Sequence, residues 1–435
     1  MQIAMIGTGY VGLVSGACFS EFGYDVTCVD KDAPKIENLK NNKIPIYEPG
    51  LDSLVEKNQL AGRLSFSTNL HHAVKNADVV FIAVGTPTRR GDGHADLTYV
   101  FDAVREIAQA LSGYTVIVTK STVPVGTGRK VAEILKTENP EAEFDVASNP
   151  EFLREGSAIN DFMRPDRVVV GTMGVAAKEV LEQVYRPLFL IETPIQFTSL
   201  ESAELIKYAA NAFLAVKISY INQIADLCEK LDADVHDVAK GMGLDKRIGG
   251  KFLHPGPGYG GSCFPKDTLA LVKTAEMAGA EISIVDEVVR YNQSRKHSMA
   301  SRIIKHFENG IIGKKISILG LSFKPETDDM RDSPALEIIP LLLSGGAEVV
   351  AYDPAAMEEA KKLLPEEVIF AQDAEACIKS ADACVILTEW NEFRAITSAK
   401  FLKLMAGNII VDLRNIYVPD DMRNAGVIYD SIGRA

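Results

Sequence analysis

Short apolar runs, each closed by a polar turn carrying Gly or Pro, set the rhythm of the chain. Gln2–Ile6 has strand length, and an apolar helical pattern follows from Leu13 to Phe22. Gly23 is a stop signal, and Asp25–Val29 is the next strand. Ala77–Val84, Tyr114–Thr119 and Phe144–Ser148 read as buried strands. They end at Gly85-Thr86-Pro87-Thr88, at Lys120-Ser121-Thr122-Val123-Pro124, and at Asn149-Pro150-Glu151-Phe152-Leu153-Arg154-Glu155-Gly156. Val168–Gly171 and Ile195–Thr198 are two further strands, separated by a helical pattern over Val175–Tyr185.

From Ser199 to Leu231 the rhythm changes. The segment lacks Pro and Gly, and Leu205, Ala209, Phe213, Ile221, Ile224 and Cys228 belong to a helical repeat. A helix this long between two α/β halves predicts a spine and a dimer surface. Helical patterns return over Thr268–Ala278 and Val285–Phe307. Then Lys315–Leu319, Glu348–Tyr352, Ala383–Leu387 and Asn408–Asp412 alternate as strands with helices, one over Pro334–Leu343. The pattern predicts an α/β protein with two doubly wound Rossmann-like domains joined by a long central helix. The expected parts are 1–198, 199–305 and 306–435.

Composition narrows the function classes. With 47% apolar and 24% charged residues, the 435-residue chain has the balance of a soluble globular protein. A net charge of −13 disfavours nucleic acid as a partner. The six cysteines are scattered without metal-like spacing, and Cys18, Cys28, Cys228 and Cys384 sit among apolar neighbours as core residues. No metal site, signal peptide or membrane span is expected, and the free thiols point to the cytoplasm.

The candidate chemistry begins at Gly7-Thr8-Gly9-Tyr10-Val11-Gly12, which follows a strand and opens a helix. Gly7 permits the tight turn, Gly9 lets the backbone approach a pyrophosphate, and Gly12 allows close helix packing. Asp30, at the end of the second strand, suits the ribose hydroxyls of NAD and repels the 2′-phosphate of NADP; Lys31 and Lys35 weaken that preference. Thr86, Thr122, Glu151 and Glu155 follow strand ends and are expected to face one crevice, although Thr86 and Ser121 read equally as helix caps. The two acids are candidates for proton transfer. On the long helix Lys207 and Asn211 share a face, and Lys207 either snorkels to water or is aimed at a site.

The run from Phe252 to Asp267 holds too much Gly and Pro for a helix interior and is expected as a loop that something approaches closely. Its Cys263, with Lys266 and Asp267 close behind, reads either as a thiolate nucleophile or as an incidental Cys. Lys324, Arg331 and Arg414, at or just after strand ends in the second α/β half, suit a phosphate-rich ligand or plain surface ion pairs. That half lacks a GxGxxG turn.

Taken together, Gly7–Gly12, Gly85-Thr86-Pro87, Ser121–Pro124, Asn149–Gly156, Lys207 with Asn211, Phe252–Asp267, Phe323-Lys324-Pro325 and Arg331 resemble the nucleotide-sugar dehydrogenases over essentially the whole length. Likeness is greatest to the branch acting on UDP-glucose. The resemblance implies oxidation of a sugar C6 alcohol to a carboxylate with two NAD molecules in succession. It implies an NAD-binding first domain, a central dimerisation segment carrying the Cys loop, and a UDP-sugar-binding last domain, in a homodimer. It makes Cys263 the nucleophile of a thiohemiacetal and thioester, with Lys207 and Asn211 at the oxyanion. Asp267, Glu151 and Thr122 then serve protons and water. NAD contacts implied are Gly7, Gly9, Tyr10, Val11, Gly12, Asp30, Lys35, Thr86, Thr122, Glu155, Lys266 and Arg331. Substrate contacts implied are Glu151, Phe152, Leu153, Arg154, Glu155, Lys207, Asn211, Arg247, Phe252, Leu253, His254, Pro255, Gly256, Gly260, Phe323, Lys324 and Arg414. The His254–Tyr259 stretch matches loosely, which keeps GDP-mannose and UDP-N-acetylmannosamine open as substrates. A simple two-electron dehydrogenase and a non-catalytic NAD-binding protein are the competing classes.

Overall fold

The computed structural model describes residues 1–87, 89 and 95–434. Thr88, in the turn expected after the third strand, lies outside the described residues. The chain divides into two compact units, Met1–Ala210 with Lys273–Gly279, and Asn211–Val272 with Ala280–Ala435. The boundary falls inside the long helix, so the segment expected as a separate middle part is shared between them.

The first unit carries β1 (Gln2–Ile6), β2 (Asp25–Val29), β3 (Leu64–Ser67), β4 (Val79–Ile82), β5 (Thr115–Thr119), β6 (Phe144–Ser148), β7 (Val168–Thr172) and β8 (Ile195–Thr198). They form one sheet in the order β3-β2-β1-β4-β5-β6-β7-β8. Pairing is parallel except between β6 and β7. The apolar runs are continuous because helices cover both faces. Ile3, Met5, Val79 and Phe81 enter one core, and Ala4, Ile6, Val80 and Ile82 the other. The strand order reverses between β1 and β4, where a doubly wound sheet opens a crevice beyond its carboxyl ends. The turns Gly7–Gly12 and Ala83–Pro87 flank that point. Strand β3 was not expected from the sequence; Leu64 and Phe66 alternate with Ser65 and Ser67, so only one of its faces is buried.

The second unit carries β9 (Lys315–Leu319), β10 (Glu348–Tyr352), β11 (Ile369–Phe370), β12 (Ala383–Ile386), β13 (Ile409–Asp412) and β14 (Ile428–Ser431), in the order β11-β10-β9-β12-β13-β14. All of its pairs are parallel. It repeats the doubly wound plan, with one telling change. Asp353, just after β10, stands where Asp30 stands after β2. Its Oδ2 accepts from Leu321 N at 2.7 Å, Ser322 N at 3.0 Å and Trp390 Nε1 at 3.2 Å. At 1% exposure this carboxylate fastens the turn after β9 and offers nothing to a ribose.

The long helix spans Leu200–Leu231, close to the pattern's limits. Its first turns are tied to the first unit by Glu204, which accepts from Gly126 N and Gly128 N, both at 2.7 Å, and from Ser148 Oγ at 3.1 Å. Burial pushes the Glu204 pKa up, and those amides and the hydroxyl pull against it.

Candidate active site

The three glycines of the first turn do different work. A Cβ on Gly7 would lie 2.7 Å from Ala83 O, and one on Gly12 only 1.9 Å from Gly7 O. Gly7 also has a φ of +102°, which favours glycine. Over Gly9 there is open space, with nothing within 4 Å of a Cβ. Gly9 caps the helix Tyr10–Glu21 without a side-chain bond, and no acid occupies the first turn. The amides at that helix start suit an anion. Asp30 accepts from Thr8 N at 3.0 Å, Thr8 Oγ1 at 2.6 Å and Lys35 Nζ at 3.0 Å. Burial pushes its carboxyl up, but the Thr8, Asp32 and Lys35 donors win and hold it at about 2. A cradle open only over Gly9, capped amides free of acids and an ionised ribose acceptor fit NAD.

Tyr10 and Val11 pack on the core of this unit. The Tyr10 hydroxyl donates to Glu48, which also accepts from Gly156 N at 2.7 Å and Ala158 N at 2.8 Å. Burial, then Glu48 and Glu155, push the Tyr10 pKa up. Glu48 therefore ties the cofactor turn to the loop that carries Glu155. Sequence reading missed it, because a lone acid in a polar stretch gives no periodic signal. Thr86 Oγ1 donates to Thr122 O at 3.0 Å, which joins two of the expected crevice residues.

Lys207 is 2% exposed, so it does not snorkel. Its Nζ lies 3.2 Å from Glu151 Oε1, and Glu151 is 7% exposed. Glu151 also accepts from Leu153 N. The Phe152 ring lies under the Arg167 guanidinium at 3.8 Å and 5.3 Å from Lys207 Nζ. Arg154 turns outward and forks onto Asp161. A second buried cation, Lys120, donates to Asn149 Oδ1 at 3.1 Å and was not singled out in the sequence.

In the second unit the helix expected from Thr268 begins at Phe264, inside the stretch expected to be loop throughout. Pro265 is no obstacle, because the first turn needs no amide donor there. Asp267 N donates to Cys263 O at 2.8 Å, which makes Cys263 the residue that caps the helix. Its thiol therefore sits at the positive end of the helix dipole, which favours thiolate. Cys263 is half-buried and the other five cysteines are buried. Asp267, fully buried, accepts from Asn211 Nδ2 and Lys266 Nζ, both at 2.6 Å.

The glycines of the loop before Cys263 explain what approaches the backbone: the chain itself. A Cβ on Gly260 would lie 2.4 Å from Asp332 O, and one on Gly261 2.7 Å from the Phe323 ring. Gly256 lies against Arg414, with 3.2 Å from its would-be Cβ to Nη1. Arg414 donates to Leu387 O at 2.6 Å and Phe323 O at 2.9 Å, and its own carbonyl is 3.0 Å from His254 Nε2. Leu253, Pro255 and Gly256 are buried beside it. Phe252 has a φ of +65° and meets the Phe264 ring edge-on. Lys324 Nζ stands 5.4 Å over the Phe323 ring. The structure thus gathers most of the expected substrate residues of this unit. Arg331 forks onto Asp329, and Arg247 is exposed and forks onto Asp245, apart from that cluster. Asn222, Asn292 and Arg295, also missed, hold Gly256 and Tyr259 by their backbone atoms. They were legible only as polar interruptions on helix faces. Among the described residues no cluster could hold a metal ion, and no helix is long and apolar enough to cross a membrane.

Three family descriptions match in order: the UDP-glucose/GDP-mannose dehydrogenase NAD binding domain over residues 1–189, its central domain over 201–294, and its UDP binding domain over 317–419. A UDP-glucose 6-dehydrogenase of Rhizobium meliloti is 58% identical, covering all of both chains. UDP-glucose 6-dehydrogenase TuaD of Bacillus subtilis is 50% identical over this whole chain and 93% of its own. Among solved structures, a UDP-glucose dehydrogenase from Pyrobaculum islandicum superposes with a TM-score of 0.92 at 38% identity, covering all of this chain and 98% of that one.

Proposed function

The chain belongs to the UDP-glucose/GDP-mannose dehydrogenase family, and from that we propose that it oxidises UDP-glucose to UDP-glucuronate through a thioester on Cys263. It is an NAD-dependent oxidoreductase. The choice of UDP-glucose rests on the names of relatives 58% and 50% identical along the whole chain. The observation that carries the covalent route is Cys263 itself, the one cysteine that is not buried, capping a helix.

Bound NAD supplies acceptance of a hydride, once from the C6 alcohol and once from the thiohemiacetal, on two molecules in succession. The Cys263 thiolate forms a C–S bond to the aldehyde carbon, and the carbonyl oxygen becomes an alkoxide. The Lys207 ammonium and the Asn211 amide stabilise that oxygen. Water held by Thr122 then adds to the thioester carbonyl, the C–S bond breaks, and carboxylate and thiolate are released. Glu151 and Asp267 take up the protons of the alcohol and the water. Lys324, Arg247, Arg414 and the Phe252–Gly260 loop hold the nucleotide sugar, one of the two arginines across the dimer interface. Residues 1–198, 199–305 and 306–435 divide these tasks between cofactor, dimer and nucleotide. A homodimer is supported by the outer face of the long helix, where Phe213, Tyr220, Leu227 and Leu231 are 63%, 47%, 51% and 66% exposed. A cytoplasmic location is supported by six free thiols.

The test supplies UDP-glucose and NAD and follows NADH by absorbance. About two NADH per sugar are expected from the two-stage route. One per sugar with free aldehyde sinks the covalent step, and reduction only with another nucleotide sugar sinks the substrate.

A further inference from the structure

Lys120 directly follows β5 and is 3% exposed. Its ammonium donates to Asn149 Oδ1 at 3.1 Å and makes no ion pair among the described residues. The Tyr185 hydroxyl donates to the same Oδ1, Asn149 Nδ2 donates to Val169 O at 2.8 Å, and Asn149 N donates to Thr119 O at 2.9 Å. Phe81 and Phe162 put their rings 5.8 and 5.7 Å from Nζ. The ionisable groups around it are Glu151 from the next loop, Lys207 from the long helix, Cys18 from the first helix and Tyr185.

A buried ammonium held by a neutral amide is costly, since desolvation is not repaid by a carboxylate. An apolar side chain of the same length would serve folding better. Such a cost is kept where it serves a site. Asn149 is two residues before Glu151, and Glu151 meets Lys207. We propose that Lys120 is a positioning residue for the reaction: it pins Asn149 so that Glu151 stands opposite Lys207. The inference rests on the oxidation proposed above.

Burial, then the charge of Lys207, lower the Lys120 pKa from 10.5 to about 8, against the pull of Glu151. The folded state therefore binds fewer protons than the unfolded chain between those two values. Its destabilising effect is complete below about 8 and is relieved as pH rises toward 10.5.

Lys120→Met in the full-length protein tests this by thermal melts across pH and by steady-state kinetics with UDP-glucose and NAD. The expected variant melts at or above the wild-type temperature, and its advantage shrinks above about pH 8. Its kcat falls about tenfold or more, the loss of one oriented contact, while both KM values stay within about twofold. Wild-type kcat in a folded Lys120→Met variant overturns the proposal, as does a kcat loss that merely follows a lowered melting temperature. If that variant does not fold, Lys120→Gln decides by the same two readouts. A wild-type protein inactive on UDP-glucose instead defeats the parent reading, and the melts remain informative about Lys120.

Discussion

Glu151 and Lys207 form a buried ion pair, 3.2 Å from Oε1 to Nζ, although 56 residues separate them. Breaking a buried pair from one side leaves a charge without a partner, which is worse than losing both. Urea melts of Glu151→Gln, Lys207→Met and the double variant are expected to show a coupling on the order of 1–3 kcal/mol. Additive losses would remove the pair from the account of stability. All three variants are expected to lose turnover by about a hundredfold or more.

Cys263 is expected to be the only thiol that iodoacetamide reaches in the folded protein. Burial pushes Cys18, Cys28 and Cys384 up to about 12 and raises Cys228 and Cys377 as well. Intact-mass measurement should find a single adduct, lost in Cys263→Ala, with activity falling in step. Several adducts before unfolding would contradict the burial of the other five.

Asp30 is expected to set both cofactor choice and an acid limb of stability. Its pKa falls from 3.8 to about 2 on folding, so its contribution is complete above 3.8 and is lost as pH drops toward 2. The melting-temperature gap between wild type and Asp30→Asn should close over that window; a gap independent of pH would refute the titration. Removing the charge also releases Lys35, 3.0 Å away, for a 2′-phosphate. The ratio of kcat/KM for NADP over NAD is expected to rise about tenfold, the worth of roughly 1.4 kcal/mol.

Gly9 and Gly12 are expected to separate binding from folding within one motif. Gly9 has a φ of −70° and open space above it, so Gly9→Ala should melt like the wild type and raise the KM for NAD about tenfold. Gly12→Ala forces a Cβ to within 1.9 Å of Gly7 O and is expected to cost on the order of 3 kcal/mol. Equal melting temperatures for the two variants would contradict the division.

The sequence by itself determined the alternation of strands and helices, the long helix, the dinucleotide turn with Asp30, and the burial of most cysteines. These are local: the period of apolar positions and the spacing of glycines report which face is covered and where the backbone must bend. Tertiary structure decided the partners. Lys207 could have reached water until the fold set Glu151 beside it, and Glu48 acquired its meaning only by meeting Gly156, 108 residues later. Asp353 took the place of Asp30 and was spent on the turn after β9. The start of the helix after Cys263 was hidden by the glycines and prolines before it, although Gly256, Gly260 and Gly261 serve close packing against Arg414, Asp332 and Phe323. A polar residue's role depends on which distant segment lies within about 3 Å, and no periodicity carries that distance.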